Sequence, residues 1–273
     1  MHRRDRDPLR VAAIASAVSL FSFLYYFQHG QILLYGDAVA HINIARRVFD
    51  SQTPGFLQLG TVWLPLPHLL MIPFLLSDAM WQSGVGGSIP SMVAYVLGAV
   101  GVYRLTRGLA ADVGNESSAR VSAWAAAFVY AANPNLIYMQ TTAMTESLYL
   151  AWFVWAAVYF TESLRALRND SQEKGVPLLR CALCLAAAEL TRYDGWFLAV
   201  IAGTIIYGLA IRRRRDHALR RSATKFLVVI AAAPVIWLVY NAAIYRNPIE
   251  FANGPYSARA IRQRSGAIRW RLG

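Results

Sequence analysis

The chain has 273 residues, a formal net charge of +12, a 56% share of hydrophobic residues and a mean hydropathy of +0.35. Soluble domains are about 45–50% apolar; here the excess is gathered into long runs, which excludes an ordinary soluble domain and reads as an all-α, polytopic membrane helix bundle. The basic residues lie mostly in short segments between those runs, where they orient the chain, so no nucleic-acid partner is expected.

The first apolar run covers about residues 11–33, more than the roughly 20 residues a crossing needs. Arg3, Arg4, Arg6 and Arg10 precede it, which places the N-terminus in the cytoplasm. A cleaved signal peptide fits poorly, because the run is long and no small-residue cleavage site follows Phe27. In 36–49, Ala38, His41, Ile42, Ala45, Val48 and Phe49 recur at helical spacing. This predicts a helix along the outer surface, with Arg46 and Arg47 at its polar edge and Asp37 as its N-cap. Residues 62–78 are apolar but carry Pro65, Pro67 and Pro73, which break a regular helix. They read as an interfacial or re-entrant segment, tolerated at membrane depth only under a cover of protein.

Further crossings are expected at about 88–108, 119–138, 143–165, 178–192, 194–211 and 225–245, seven in all with the first. Cys181 and Cys184 lie inside one of them. A C-x-x-C pair can hold zinc, but no second pair or polar loop accompanies this one. It reads as small residues of a membrane helix; no disulfide, metal or cofactor is expected.

Charge tests this topology. Of the 27 Lys and Arg, eighteen fall on the cytoplasmic side, among them Arg104, Arg107, Arg120, Arg165, Arg168, Lys174, Arg180, the Arg212 to Arg215 cluster, Arg220, Arg221 and Lys225. Outside the tail, only Arg46, Arg47 and Arg192 fall on the other side. Making 62–78 a full crossing would invert every later loop, against the positive-inside tendency. Residues 1–245 thus form one transmembrane module with an outer loop at 34–87. The tail, 246–273, carries six more arginines on the outer side. It either binds anionic groups there, or marks a miscounted crossing, or begins a missing C-terminal part; the last is the preferred expectation.

Under this topology several polar groups share the outer face. Asp37 and His41 lie one turn apart on the surface helix. His68 follows the Trp63-Leu64-Pro65-Leu66-Pro67 stretch. Glu146 opens a crossing, Arg192 and Asp194 form a short hairpin, and Asn241 and Tyr245 end the last crossing. Structural roles are open to each: a cap for Asp37, a first-turn acid favoured by the helix dipole for Glu146, pairing with Glu189 or Asp194 for Arg192, packing for His41 and His68. Sugar transfer from a polyprenyl phosphate to a hydroxyl would use the same set. The acceptor needs a carboxylate base, and the departing phosphate needs a cation or hydrogen-bond donor rather than a general acid. Asp37 with Arg192 or His41 meets those demands.

At these residues the chain resembles the integral-membrane lipid-linked sugar transferases of the GT-C class, most nearly glycosyltransferase family 39 and the dolichyl-phosphate-mannose protein mannosyltransferases. The stretches that carry the resemblance are Gly36-Asp37-Ala38-Val39-Ala40-His41, Trp63 to His68, Met144-Thr145-Glu146-Ser147-Leu148, Leu190-Thr191-Arg192-Tyr193-Asp194-Gly195-Trp196, and Tyr240-Asn241 with Asn247-Pro248-Ile249-Glu250-Phe251. The resemblance implies that Asp37 is the catalytic base and Glu146 the second acid, with Arg192 where a basic residue is common. It also implies a polyprenyl-phosphate sugar donor, a protein or glycan acceptor, and a multi-pass place in the plasma (inner) membrane among its lipids. Ala38 stands where many relatives carry a second acid, and Trp63 where some carry a lysine. Relatives are longer, so an N-terminal portion is expected. The alternative function is a non-catalytic transporter or lipid-handling protein, or an inactive fragment. Transporters tend to place ionisable groups near the midplane in repeated halves; here the acids sit at the outer ends and no repeat is visible.

Overall fold

The computed structural model describes residues 6–169, 175–257, 259–260 and 262–263. The readings on Arg3, Arg4, Lys174, Arg264, Arg269 and Arg271 lie outside the described residues. Within them the chain is all helical: α1 (Asp7–Gln28), α2 (Gly36–Arg47), α3 (Leu66–Met71), α4 (Asp78–Gln82), α5 (Val85–Ala111), α6 (Glu116–Ala131), α7 (Pro134–Met139), α8 (Glu146–Arg168), α9 (Gly175–Glu189), α10 (Asp194–Arg212), α11 (His217–Tyr245) and α12 (Glu250–Asn253).

Four helices, α1, α5, α10 and α11, are long and apolar enough to cross a membrane. The other three expected crossings are also helical, but differ from the expectation. The stretch read as 119–138 is two helices. Asn133 caps a new one by accepting from the Leu136 amide at 3.1 Å, and Pro134 occupies its first turn, a start signal that ends α6 at Ala131. The helix α8 has 23 residues but carries Glu146, Glu162, Arg165 and Arg168, while α9 has only 15. The first helix stops at Gln28 rather than near 33, where the chain turns through Gly30 at φ 68°.

Two apolar clusters hold the bundle. One surrounds α9, where Leu178, Cys181, Ala182 and Leu185 meet Ala156 of α8, Ile206 of α10 and Phe226 and Ile230 of α11. Small side chains on α9 let its neighbours close over it; Cys181 and Cys184 are buried free thiols. The other joins α1, α5 and α6 through Val11, Ala15, Tyr95, Ala99 and Ala123. Its far end is pinned by the buried Asp7 carboxylate, which accepts from Arg120, Tyr103 and Trp124.

The segment between α1 and α5 caps one end of the bundle. Pro65 and Pro67 start α3 and Pro73 ends it in a 3-10 turn, so the proline-rich stretch is a broken, inserted element rather than a crossing. Leu70 reaches Ala94, Leu148 and Ala151, and the Leu66 amide donates to the Leu190 carbonyl at 3.0 Å. The described tail folds onto the same end, where Phe251 of α12 stacks on Tyr193 with ring centroids 5.0 Å apart.

The α9–α10 hairpin depends on a close backbone approach. A Cβ on Gly195 would lie 2.6 Å from the Ala188 carbonyl carbon and the Glu189 nitrogen, whereas one on Gly208, in the same helix, meets nothing within 4 Å. Gly195→Ala should therefore destabilise by about 1–3 kcal/mol, the usual cost of overpacking, while Gly208→Ala should be neutral or slightly stabilising. Thermal unfolding of the two variants in the same detergent checks this; equal midpoints would remove the hairpin contact from the account.

Candidate active site at the capped end

The buried face of α2 packs Ala38, Ile42 and Ala45 against Met71, Leu75, Ala143 and Met144. It thus rests on the turn that leads into Glu146. The helices α2, α8 and α10 each begin at this end with an acid in the first turn: Asp37, Glu146 and Asp194. Helix N-termini favour negative charge there.

Asp37 is not the N-cap. Tyr35 holds the extended capping position, makes no side-chain cap bond, and leaves Gly36 as the first helical residue. The Asp37 carboxylate is exposed and has no partner among the described residues. It stands one turn, about 6 Å of rise, from His41. Beside it, Tyr26, Gln31, Leu34, Tyr35 and Tyr138 line a cavity of about 340 Å³.

Of the substrate-contact and packing roles open to His41 and His68, the structure shows packing, with both buried at 2% and 0% exposure. Apolar packing of α2 on α3 turns the two rings together, with His41 Nδ1 2.8 Å from His68 Nε2 and Trp63 tilted over His41 at 4.8 Å. Burial, and then the Arg192 cation, push the His41 imidazole down to about 4. Burial, then His41 and Arg47, hold His68 well below the ordinary histidine range. Both rings are therefore neutral near pH 7, and the pair locks the cap.

Arg192 joins the two acids. Its Nη1 donates to Glu146 Oε1 at 3.1 Å and to Thr145 Oγ1 at 3.3 Å, and its Nε to Asp194 Oδ2 at 3.0 Å. Of the two structural partners open to it, Asp194 is found and Glu189 is not. Two carboxylates around one guanidinium leave this group net negative, so Arg192 is largely spent on organising the hairpin.

Asn241 and Tyr245, read as substrate contacts, are engaged within the protein in this structure. Asn241 is fully buried and donates to the Trp237 carbonyl at 2.8 Å. Tyr245 donates to the Leu57 carbonyl at 3.4 Å. Tyr240 and Tyr193 hold Phe56 and Val62 in the same way, so these side chains fix the loop between α2 and α3. His68 Nδ1, Glu146 Oε2, Glu189 Oε2 and Asn241 Oδ1 are buried at this end without a hydrogen-bond partner among the described residues.

Sequence reasoning missed Arg47. Its neighbour Arg46 is fully engaged with Asp50, Asp78, the Leu75 carbonyl and the Phe49 and Trp81 rings. Arg47 is exposed, has no partner among the described residues, and bears electrostatically on His68 and Tyr245. Two adjacent arginines look alike in sequence; only the direction of the helix face separates them. No protein-family model, curated protein or solved structure matches the chain, so the resemblance rests on the motif residues alone.

The histidine pair makes the cap acid-sensitive. Folded values lie below the unfolded value of about 6.5, so the unfolded chain binds more protons between pH 6.5 and about 4. Stability is fully present above that window and falls by up to about 1.4 kcal/mol per pH unit for each ring as pH drops through it. The unfolding midpoint should fall from pH 7.5 to pH 5, and less so in a His41→Gln/His68→Gln variant. Equal falls would locate the acid sensitivity elsewhere.

Proposed function

We propose that the chain is a membrane-embedded glycosyltransferase that moves a sugar from a polyprenyl phosphate to an acceptor hydroxyl at the capped end. The observation that carries this reading is the Asp37 carboxylate: exposed, unpaired, free of any capping duty, and one turn from a neutral histidine pair. As the acceptor oxygen bonds to the anomeric carbon, its proton passes to Asp37. The bond from that carbon to the phosphate oxygen breaks, and its electron pair leaves with the polyprenyl phosphate. Arg47, an exposed arginine at the far end of the same helix, about 15 Å of rise from Asp37, draws the anionic donor to this face rather than touching the phosphate at the reacting carbon. Glu146 and Asp194 hold Arg192, and Glu146 positions the acceptor or the surface helix. Below Arg192, Phe153, Ala157, Phe160, Leu198, Ile201 and Ile205 line an apolar groove of about 160 Å³ between α8 and α10, fit for isoprene units. In this proposal the chain crosses the plasma (inner) membrane seven times, with its N-terminus and the Arg212 to Arg215 cluster in the cytoplasm.

Topology is testable with cysteines placed at Ser222 and Asn135 in a background lacking Cys181 and Cys184. An impermeant thiol reagent should reach them from opposite sides of the membrane. Labelling from one side would overturn the crossing count and the outward position of the site.

The chemistry is tested at Asp37. Asp37→Asn removes the base while keeping the shape, and no cap is lost with it. A general base typically contributes about 10²- to 10⁴-fold, so transfer of labelled sugar from a polyprenyl phosphate in proteoliposomes should fall at least about a hundredfold, normalised to folded protein. Glu146→Gln should lose less. Near-normal turnover by Asp37→Asn would reduce Asp37 to a surface carboxylate and put the base elsewhere; no transfer by the unsubstituted chain would favour the lipid-handling alternative.

A further inference from the structure

The opposite end of the bundle carries a second feature that the transferase reading does not use. The helices α10 and α11, both long and apolar enough to cross a membrane, are joined by a tight turn at 213–216. Within 212–225 stand Arg212, Arg213, Arg214, Arg215, Arg220, Arg221 and Lys225 against a single acid, Asp216, whose side chain caps α11 by accepting from the Leu219 amide at 2.9 Å. These arginines are not equivalent. Arg213 turns back into the bundle and donates to the Leu167 carbonyl at 2.9 Å. Arg214 and Arg220 instead both line a cleft of about 500 Å³ that Tyr207, Ile211, Ala223 and Leu227 also line, along the two helices. Neither guanidinium has an ion-pair or hydrogen-bond partner among the described residues.

The cleft is graded. Two unpaired guanidinium groups stand at its mouth, beside the turn. From Arg220 to Leu227 is two helical turns, about 10 Å, over which the wall becomes apolar. Tyr207 and Leu227 line the end of the cleft away from the turn, and Tyr207 is itself exposed. A phosphate flanked by glycerol and the first acyl methylenes has the same order of chemistry over the same length. Basic pockets between membrane helices are suited to anionic head groups, and the planar donor fork of arginine matches a phosphodiester in two-point contact. A zwitterionic head group would bring its own cation to a mouth that is already strongly positive.

We propose that this cleft binds one anionic phospholipid, with its phosphate held between Arg214 and Arg220 and its upper acyl chains along Ile211, Leu227 and Tyr207. The site is independent of the transferase reading and requires only that α10 and α11 stand in a bilayer.

The test is native mass spectrometry of the full chain released from neutral detergent, titrated separately with phosphatidylglycerol and phosphatidylcholine. One phosphatidylglycerol should bind at least about tenfold more tightly than phosphatidylcholine, as befits two charge-assisted contacts. Arg214→Gln/Arg220→Gln should lose that preference, and Arg214→Lys/Arg220→Lys should keep most of it. Arg212→Gln/Arg215→Gln, which removes the same charge outside the cleft, should keep it fully. Equal loss in the two glutamine pairs would assign the effect to diffuse surface charge, and full retention by Arg214→Gln/Arg220→Gln would empty the cleft of a role. Displacement of phosphatidylglycerol by millimolar inorganic phosphate would make this a free-phosphate site and overturn the lipid assignment.

Discussion

Irregular backbone beside a membrane must find hydrogen-bond partners in protein or water. That requirement governs the capped end. Residues 48–65 form no α-helix, and their carbonyls at Phe56, Leu57 and Val62 are met by the hydroxyls of Tyr240, Tyr245 and Tyr193. The Leu66 amide finds the Leu190 carbonyl. Three tyrosines from the ends of α10 and α11 are therefore committed to scaffolding, and their commitment fixes α3 in place. The histidine pair, the Glu146–Arg192–Asp194 group and Arg47 take their positions from that anchoring.

The same end concentrates the buried polar groups that the bundle does not satisfy by itself. Leaving such a group unpaired costs about 1–3 kcal/mol. Among the described residues six of them, at Ser51, His68, Glu146, Ser147, Glu189 and Asn241, share this end, while the cores around α9 and α5 leave the Trp152 Nε1 and Tyr130 Oη unpartnered. Polarity and unspent charge are thus held at this end, while the groove between α8 and α10 is lined by apolar side chains.

Much of this was legible in the sequence. The apolar runs gave the long helices, and Pro65, Pro67 and Pro73 marked α3 as broken. The first-turn acids pointed to one end. The errors have local causes. Asp37 satisfies every compositional rule for a cap, yet glycine at 36 can enter the helix and moves the cap to Tyr35. Asn133 and Pro134 form a helix start that the apolar run around them obscures. The pairing of His41 with His68 spans 27 residues and carries no local signal. The different fates of Arg46 and Arg47 depend on where Asp78 and Trp81 arrive from another element, which no window along the chain contains.

Arg46 also fixes how the cap is braced. By bonding Asp50 and Asp78 together with the Leu75 carbonyl, it ties the two feet of the excursion between α2 and α4 and offsets part of the roughly 3 kcal/mol entropic cost of closing a loop of that length. The tip is held differently. Gly55 and Gly60, at φ 138° and 75°, bracket a 3-10 turn whose Phe56 and Leu57 are exposed; the Gly55 amide on the Val48 carbonyl, Gln58 on Thr53, the buried Leu59 and the tyrosine hydroxyls, at about 0.5–1.5 kcal/mol each, secure it. Clamped at its feet by charge and braced at its tip by backbone, side-chain and packing contacts, the irregular segment acts as a strut between α2 and α11, so a change at Tyr240 or Tyr245 should be felt at α2 without either residue touching it.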